Sequence, residues 1–336
     1  MFSKTLMLIS CCISLPELIA ADCNKERKCK TSRVHGLRSA DCYRMDMREF
    51  PKCLSSNTEA LELSYNRIRK VTKEDLRRYP YMVHLYLMDN LIVNLDDDVF
   101  QESSSLRTID LSVNALKKVP PTLFQLPSLT TLYLSQNLNI NVAESIDEAK
   151  PISQSCLTKL DMSYITEDGS STDFPDFREL PLLAFLNITG VNFNYISTRH
   201  FAGLCNLQIL GSENVSAEFE HDCDCERINR WLLERKVKYT ELVCPTNEID
   251  CSNKPIDVED LEVYQNCRAK YAKISRSLYL EKVWHWLGIA AGGLVLTGIL
   301  VGCCIWKHIK QKKAMEARES LRQRENRQLL NNQTKV

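Results

Sequence analysis

Apolar residues recur along the middle of this chain with a period longer than that of a helix or a strand. The pairs Leu61 and Leu63, Leu85 and Leu87, Ile109 and Leu111, and Leu132 and Leu134 each precede an asparagine. Those asparagines, Asn66, Asn90, Asn114 and Asn137, follow one another at intervals of 24, 24 and 23 residues. Alternation within each segment predicts a short strand with one face inward. One such strand has nothing to pack on until the next turn stacks beside it, so the period predicts a coil of strand-and-arc units sharing one core. On the arcs, Phe100, Phe124 and Phe201 sit at like positions, with Tyr79 near the equivalent place in the first turn, and predict a second internal ladder. An asparagine at the bend has two donors and an acceptor, enough to pair backbone groups that the strand leaves unmatched.

Three further turns keep the apolar pattern and lose the asparagine. Leu157, Leu160 and Met162, then Leu183, Leu186 and Ile188, then Leu207 and Leu210 lead to Ile165, Val191 and Val215 at the bend. This half is expected to be looser. Its drifting starts place insertions near residues 141–156 and 165–177, and the polar, acidic run 166–173 reads as a mobile surface loop.

The register Leu-x-x-Leu-x-Leu-x-x-Asn resembles the leucine-rich repeat. The flanks resemble the cysteine-rich caps of extracellular proteins of that class. In front, Cys42, the Phe50-Pro51 step and residues 55–58 lead into the first repeat; behind it come Cys223-Asp224-Cys225, Trp231-Leu232, Cys244-Pro245 and Cys267. The resemblance implies an α/β fold: a leucine-rich-repeat solenoid with a parallel β-sheet on its concave face, disulfide caps and one transmembrane helix. It gives cap roles to Cys23, Cys29, Cys42 and Cys53 in front and to Cys223, Cys225, Cys244 and Cys267 behind. The front departs from the usual pattern, with five residues between Cys23 and Cys29, and the back carries an additional Cys251, which leaves the connectivity open. Cys156 and Cys205 lie two repeats apart, about 10 Å, too far to bridge. Cys205 is expected to bond Cys251, leaving Cys156 over. A rival reading takes His221, Cys223 and Cys225 as zinc ligands, which reduced thiolates would permit.

The ends of the chain add a membrane. Residues 1–20 hold Lys4, an apolar run and a small-residue exit, the layout of a secretory signal peptide. Trp286 to Trp306 is 21 residues without a charge, and at about 1.5 Å per residue such a helix spans a bilayer once. Basic residues flank both sides, so the signal peptide sets the orientation: a single-pass type I protein of the plasma membrane with its ectodomain outside. The division that follows is a front cap over 21–57, about seven repeats over 58–215, a back cap over 216–267, a juxtamembrane segment over 268–285, the span over 286–306 and a cytoplasmic tail over 307–336. The eleven cysteines between residues 23 and 267 fit the oxidising side.

Composition then removes function classes. With 43 basic and 43 acidic residues nothing draws the chain to nucleic acid, and no metal-protease spacing, phosphate loop or nucleophile motif points to an enzyme or a cofactor. The positions between the leucines, Ala60, Glu62, His84, Tyr86, Thr108, Asp110, Thr131, Tyr133, Lys159, Asp161 and Phe185, face the concave surface. Tyr86 and Tyr133 flank Asp110, and these three are the candidate partner-binding residues; an ordinary solvated sheet face is the alternative. Asn187 and Asn214 are glycosylation sequons, and a glycan on Asn187 would push a partner toward the first four turns. Gly288 with Gly292, and Gly298 with Gly302, have the spacing for close helix contact and a homodimer. Cys303 and Cys304 are candidates for palmitoylation. The tail ends Thr334-Lys335-Val336, which resembles a PDZ-domain ligand. The resemblance implies a receptor or cell-adhesion protein that binds an extracellular protein, with the tail favouring a synaptic role. The alternative is an accessory subunit lying against a channel or receptor.

Overall fold

The computed structural model describes residues 29–152, 155–219, 221–245, 251 and 255–333. The predicted signal peptide, Cys23, Thr334 and Val336 lie outside them. The chain divides into two units, residues 1–271 and 272–336.

The first unit is a leucine-rich-repeat solenoid. It opens with a hairpin, β1 (Lys30–Val34) and β2 (Leu37–Asp41), in which Val34 pairs with Leu37. The two residues between them, His35 and Gly36, both have positive φ, 48° and 86°, the turn that matches strand twist in a two-residue hairpin. Three-residue strands follow, one per turn: β3 (Ala60–Glu62), β4 (His84–Tyr86), β5 (Thr108–Asp110), β6 (Thr131–Tyr133), β7 (Lys159–Asp161) and β8 (Phe185–Asn187). Beyond β9 (Asn192–Phe193), β10 (Ile209–Gly211) continues the series. After β11 (Ser216–Ala217), β12 (Lys238–Tyr239) closes the sheet. From β2 onward every neighbour in the main sheet is parallel, and β9 and β11 pair as a small second sheet.

The register follows from the apolar pattern. Each strand's central residue is buried, Leu61, Leu85, Ile109, Leu132 and Leu160 at 0% exposure, and its two neighbours are half-buried on the opposite face. The return arcs carry short helices: α1 (Lys73–Arg77), α2 (Thr122–Gln125), α3 (Val142–Ala149) and α4 (Thr198–Ala202). Thr72 and Asp75 form a reciprocal cap at the start of α1, which satisfies donors a helix start leaves open. Within the 141–156 insertion lies α3, started by Asn141, whose Oδ1 accepts the Glu144 N–H at 3.0 Å. Tyr79, Phe100, Phe124 and Phe201 are all buried on the arcs, and Phe177 joins them. The Tyr79 hydroxyl donates to the Pro51 carbonyl at 2.7 Å, so its polar tip is satisfied inside the core.

The acidic run 166–173 lies at the surface and is also tied to the next turn. Phe174, which follows it, is buried and rests 5.0 Å from Phe193 and 5.2 Å from Phe201 between ring centroids. Thr172 N–H donates to the Asn192 carbonyl at 3.0 Å, and Asn194 N–H returns to Thr172 at 2.8 Å. The run pairs with the next turn, a constraint its polar composition conceals.

At the back, α5 (Asp224–Glu234) covers the last apolar layer with Ile228, Trp231 and Leu232. Buried Asn229 holds both Leu242 backbone groups, accepting its N–H and donating to its carbonyl, each at 3.0 Å. The last helix, α6 (Val258–Gln333), contributes residues up to Tyr271 to this unit, and there Tyr264 meets Trp231 edge to face at 5.5 Å. The second unit is the remainder of α6. This helix is long and apolar enough to cross a membrane. A Cβ built on Gly288, Gly292, Gly298 or Gly302 meets nothing within 4 Å.

Candidate binding face

Two rows of side chains project from the concave sheet. The first position of each strand gives Ser39, Ala60, His84, Thr108, Thr131, Lys159, Phe185 and Ile209. The third gives Asp41, Glu62, Tyr86, Asp110, Tyr133, Asp161, Asn187 and Gly211. Tyr86, Asp110 and Tyr133 are therefore direct neighbours on β4, β5 and β6. The carboxylates are oriented locally: Glu62 accepts the Ser64 N–H at 2.7 Å, Asp110 the Ser112 N–H at 2.9 Å and Asp161 the Ser163 N–H at 3.1 Å. Each bond spans two residues, a geometry that short acidic side chains favour where a strand ends.

Burial shifts the groups of this face. It raises the Asp110 carboxyl above its ordinary range, against the hydrogen bonds from Ser112 and with repulsion from Asp161. Burial also raises the Tyr86 phenol, and Glu62, Tyr133 and Asp110 add to the shift. His84 is lowered by burial and then by the Arg107 charge, and its Nδ1 is sealed from water without a hydrogen-bond partner. Lys159 lies between two rings, its Nζ 4.9 Å from the Tyr133 centroid and 4.6 Å from that of Phe185, where ring faces attract a cation. Sequence reasoning singled out three residues of this face. Glu62, Asp161, Lys159 and Phe185, placed on the same face by the alternation of the repeat, stand beside them, and the register of adjacent strands shows which are neighbours.

The repeat asparagines lie behind the sheet. The Asn66 Oδ1 accepts Met45 and Met47 N–H groups at 3.0 and 2.9 Å, and its Nδ2 donates to Cys42 and Leu63 carbonyls at 2.9 and 2.8 Å. Asn90 joins the Ile68 N–H to the Leu63 and Leu87 carbonyls, Asn114 joins Ile92 to Leu87 and Leu111, and Asn137 joins Leu116 to Leu111 and Leu134. Each amide therefore ties its own bend to the turn before it.

The back cysteines pair differently from expectation. Cys205 bonds Cys267, Cys223 bonds Cys251 and Cys225 bonds Cys244, so the expected Cys205–Cys251 bridge is corrected. The start of α6 lays Cys267 against the last repeat, its Sγ 3.1 Å from the Gly203 carbonyl, while Cys251 precedes that helix and meets Cys223 beside the start of α5. With Cys223 and Cys225 oxidised, the zinc reading at His221 loses its thiolates. In front, Cys29 bonds Cys42 and Cys53 is disulfide-bonded. Cys156 is half-buried and takes part in none of the bridges named here.

Of the two sequons, Asn214 is exposed at a bend with φ 53°. Asn187 is half-buried at the end of β8, its Oδ1 accepting the Thr189 N–H at 3.1 Å. Gly211 beside it has a packing reason, since a Cβ there would strike the Asn187 side-chain oxygen.

Residues 80–138 match the family model described as "Leucine rich repeat". Leucine-rich repeat-containing protein 3 of Danio rerio is 33% identical over 120 residues, covering 35% of this chain and 43% of that protein. Toll-like receptor 8 of Homo sapiens is 29% identical over 188 residues, 49% of this chain and 17% of the receptor. Among solved structures, the crystal structure of the mouse RP105/MD-1 complex aligns with a TM-score of 0.45 and 21% identity, covering 54% of this chain and 30% of that one. The chain spans less than half the length of the curated relatives named here.

Proposed function

We propose that this protein is a cell-surface receptor or adhesion protein that binds an extracellular protein through the concave face of its repeats. The observation that carries the reading is the adjacency of Tyr86, Asp110 and Tyr133 on three neighbouring strands, since tyrosine joins apolar area to a polar tip at little entropic cost. A relative named as a receptor supports it, as does the apolar helix. In this reading residues 1–20 are removed on export, the repeats and caps lie outside the plasma membrane, Asn187 and Asn214 carry glycans, and residues 307–336 are cytoplasmic. A tail ending in Thr334 and Val336 then tethers the protein to a PDZ domain.

The test is attachment of cells displaying the full chain to a panel of other cells, with Tyr86→Ser and Tyr133→Ser introduced together. Attachment drops at least tenfold if the reading is right; unchanged attachment at equal surface level overturns it. A second reading, an accessory subunit held laterally by its helix, is favoured by the open faces at Gly292 and Gly302. In that case Gly292→Leu with Gly302→Leu is the damaging change and the tyrosine pair is silent.

A further inference from the structure

We propose that the occupant of the concave face is a basic segment of the partner protein, bound with its cationic side chains over the row of alternating acids and tyrosines. The inference rests on the reading of that face as the binding surface and adds the chemistry of what binds there.

Along the third position of consecutive strands the register gives Asp41, Glu62, Tyr86, Asp110, Tyr133 and Asp161. From Glu62 onward an acid and an aromatic ring alternate, and no lysine or arginine interrupts them. Parallel strands lie about 4.8 Å apart, so the carboxylates of β3, β5 and β7 recur about every 10 Å with a ring between each pair. In a polyproline II chain, with three residues per turn and a rise of about 3.1 Å, every third side chain returns to the same face after nearly that distance, about 9 Å. A segment crossing the strands with a cation at every third position therefore meets an acid at each step.

The carboxylates are available for that role. Among the described residues neither Glu62, Asp110 nor Asp161 takes part in a salt bridge. Their backbone hydrogen bonds hold them in place before a partner arrives, so little ordering is required on binding. The nearest cation of the face, Lys159, is committed to the Tyr133 and Phe185 rings. That contact shows an ammonium fitting between rings on the two strands, β6 and β8, that flank its own. Over Asp110 a partner's cation would find the same arrangement, Tyr86 on one side and Tyr133 on the other, with a carboxylate beneath. Burial makes an unneutralised charge at Asp110 costly and a paired one correspondingly stronger.

The experiment uses the full chain in lipid nanodiscs and three twelve-residue peptides: one with lysine at every third position, the same peptide with those lysines acetylated, and one with glutamate in their place. The lysine peptide is expected to bind at least tenfold more tightly than either of the others, and to weaken about tenfold as salt rises from about 0.05 to 0.5 M. Asp110→Asn with Asp161→Asn should cost at least tenfold, and Asp110→Glu should retain most of the binding. Glu218→Gln, away from this row, should leave it unchanged, and far-ultraviolet circular dichroism checks that each variant keeps its fold. Equal binding of the acetylated or glutamate peptide, or full binding by the folded double variant, overturns the proposal. If cell attachment is lost with Tyr86→Ser and Tyr133→Ser while the peptides are not distinguished by charge, this inference fails alone. If attachment survives those changes, the reading beneath it fails.

Discussion

At Asn90 one buried amide closes a bend, taking the Ile68 N–H at 2.9 Å and reaching the Leu63 and Leu87 carbonyls at 3.0 and 3.1 Å. At Val191, four turns later in the coil, an aliphatic side chain stands in that place with 0% exposure. Its own N–H turns back to the Ile188 carbonyl at 3.2 Å, and the polar work passes to the next residue. Asn192 takes the Thr166 hydroxyl oxygen on its N–H, donates its amide to the Ser170 carbonyl and accepts from the Ser216 hydroxyl. The comparison teaches that the bend has a fixed demand for hydrogen bonds, met either from within the core or from the surface. The internal solution is shielded from water and the external one is not. The half that uses the external one also carries β9 and β11 and adjoins the back cap with its cystines.

That contrast predicts unequal dependence on covalent closure. Replacing Cys205 and Cys267 by alanine opens a bridge between residues 62 positions apart and should cost about 4 kcal/mol by loop entropy. Removing Cys29 and Cys42, 13 positions apart, should cost about 3 kcal/mol. Denaturant unfolding of the full chain followed by circular dichroism measures both. A front bridge that proves the more costly of the two would reverse the comparison.

Next in size is the amide itself. Asn90→Ala strands a buried N–H and removes a donor from two carbonyls, a loss of about 2–3 kcal/mol. Val191→Ala only empties part of the core, at about 1–2 kcal/mol. Thermal unfolding of the two variants should separate them by several degrees. Equal midpoints would mean that the two bends are built alike after all.

The parts legible in sequence were those with a strict period. The strands, their inward leucines and the concave rows follow from spacing alone, because stacking offers each apolar pair only one way out of water. Asn66, Asn90, Asn114 and Asn137 were legible for the same reason: the amide has to stand at the bend. Asn192 was not, since it lies one residue past the bend and its partners, Thr166, Ser170 and Ser216, come from aperiodic stretches. The ties of the acidic run 166–173 were not legible because composition reports solvent exposure and is silent on pairing, and Thr172 and the buried Phe174, which join the run to the next turn, carry no periodic signal. The partner of Cys205 was misread as Cys251 because the placement of Cys267 depends on where α6 begins, and a helix that runs on into an apolar span leaves no break at its start. The acids of the concave row were visible as a list, and the register of adjacent strands was needed to turn them into a surface.

Grafting one solution onto the other half is a sharper test. Val191→Asn puts an amide into a site whose neighbouring groups are already satisfied by Ile188, Thr166 and Ser216. Burying it there should cost about 1–2 kcal/mol. A neutral or stabilising result, with slower hydrogen exchange at Thr166 and Asn192, would show that the internal ladder could have continued and that the second half lacks it without structural need.

The smallest effect concerns how the second half is fastened at its surface. Burial opposes the charge on Asp176, but Arg178 donates to both of its oxygens, at 2.8 and 2.6 Å, and Lys150 adds a third bond at 2.9 Å from the end of α3. Together these hold the carboxyl well below its usual range. A carboxylate whose pKa is depressed on folding stabilises the fold above its unfolded value, about 3.9, and that contribution is lost as pH falls through the folded value. The group is partly exposed, with 25% of its side-chain surface open and 52% of that of Arg178, so screening reduces the gain to about 1 kcal/mol. Asp176→Asn should therefore lower stability at pH 7 by about that amount, and the gap between the variant and the parent chain should narrow as pH falls below about 3.9. Unfolding midpoints measured at both pH values decide it: a gap that stays constant would mean that the fastening is packing rather than charge, and that the surface of this half contributes less than its hydrogen bonds imply.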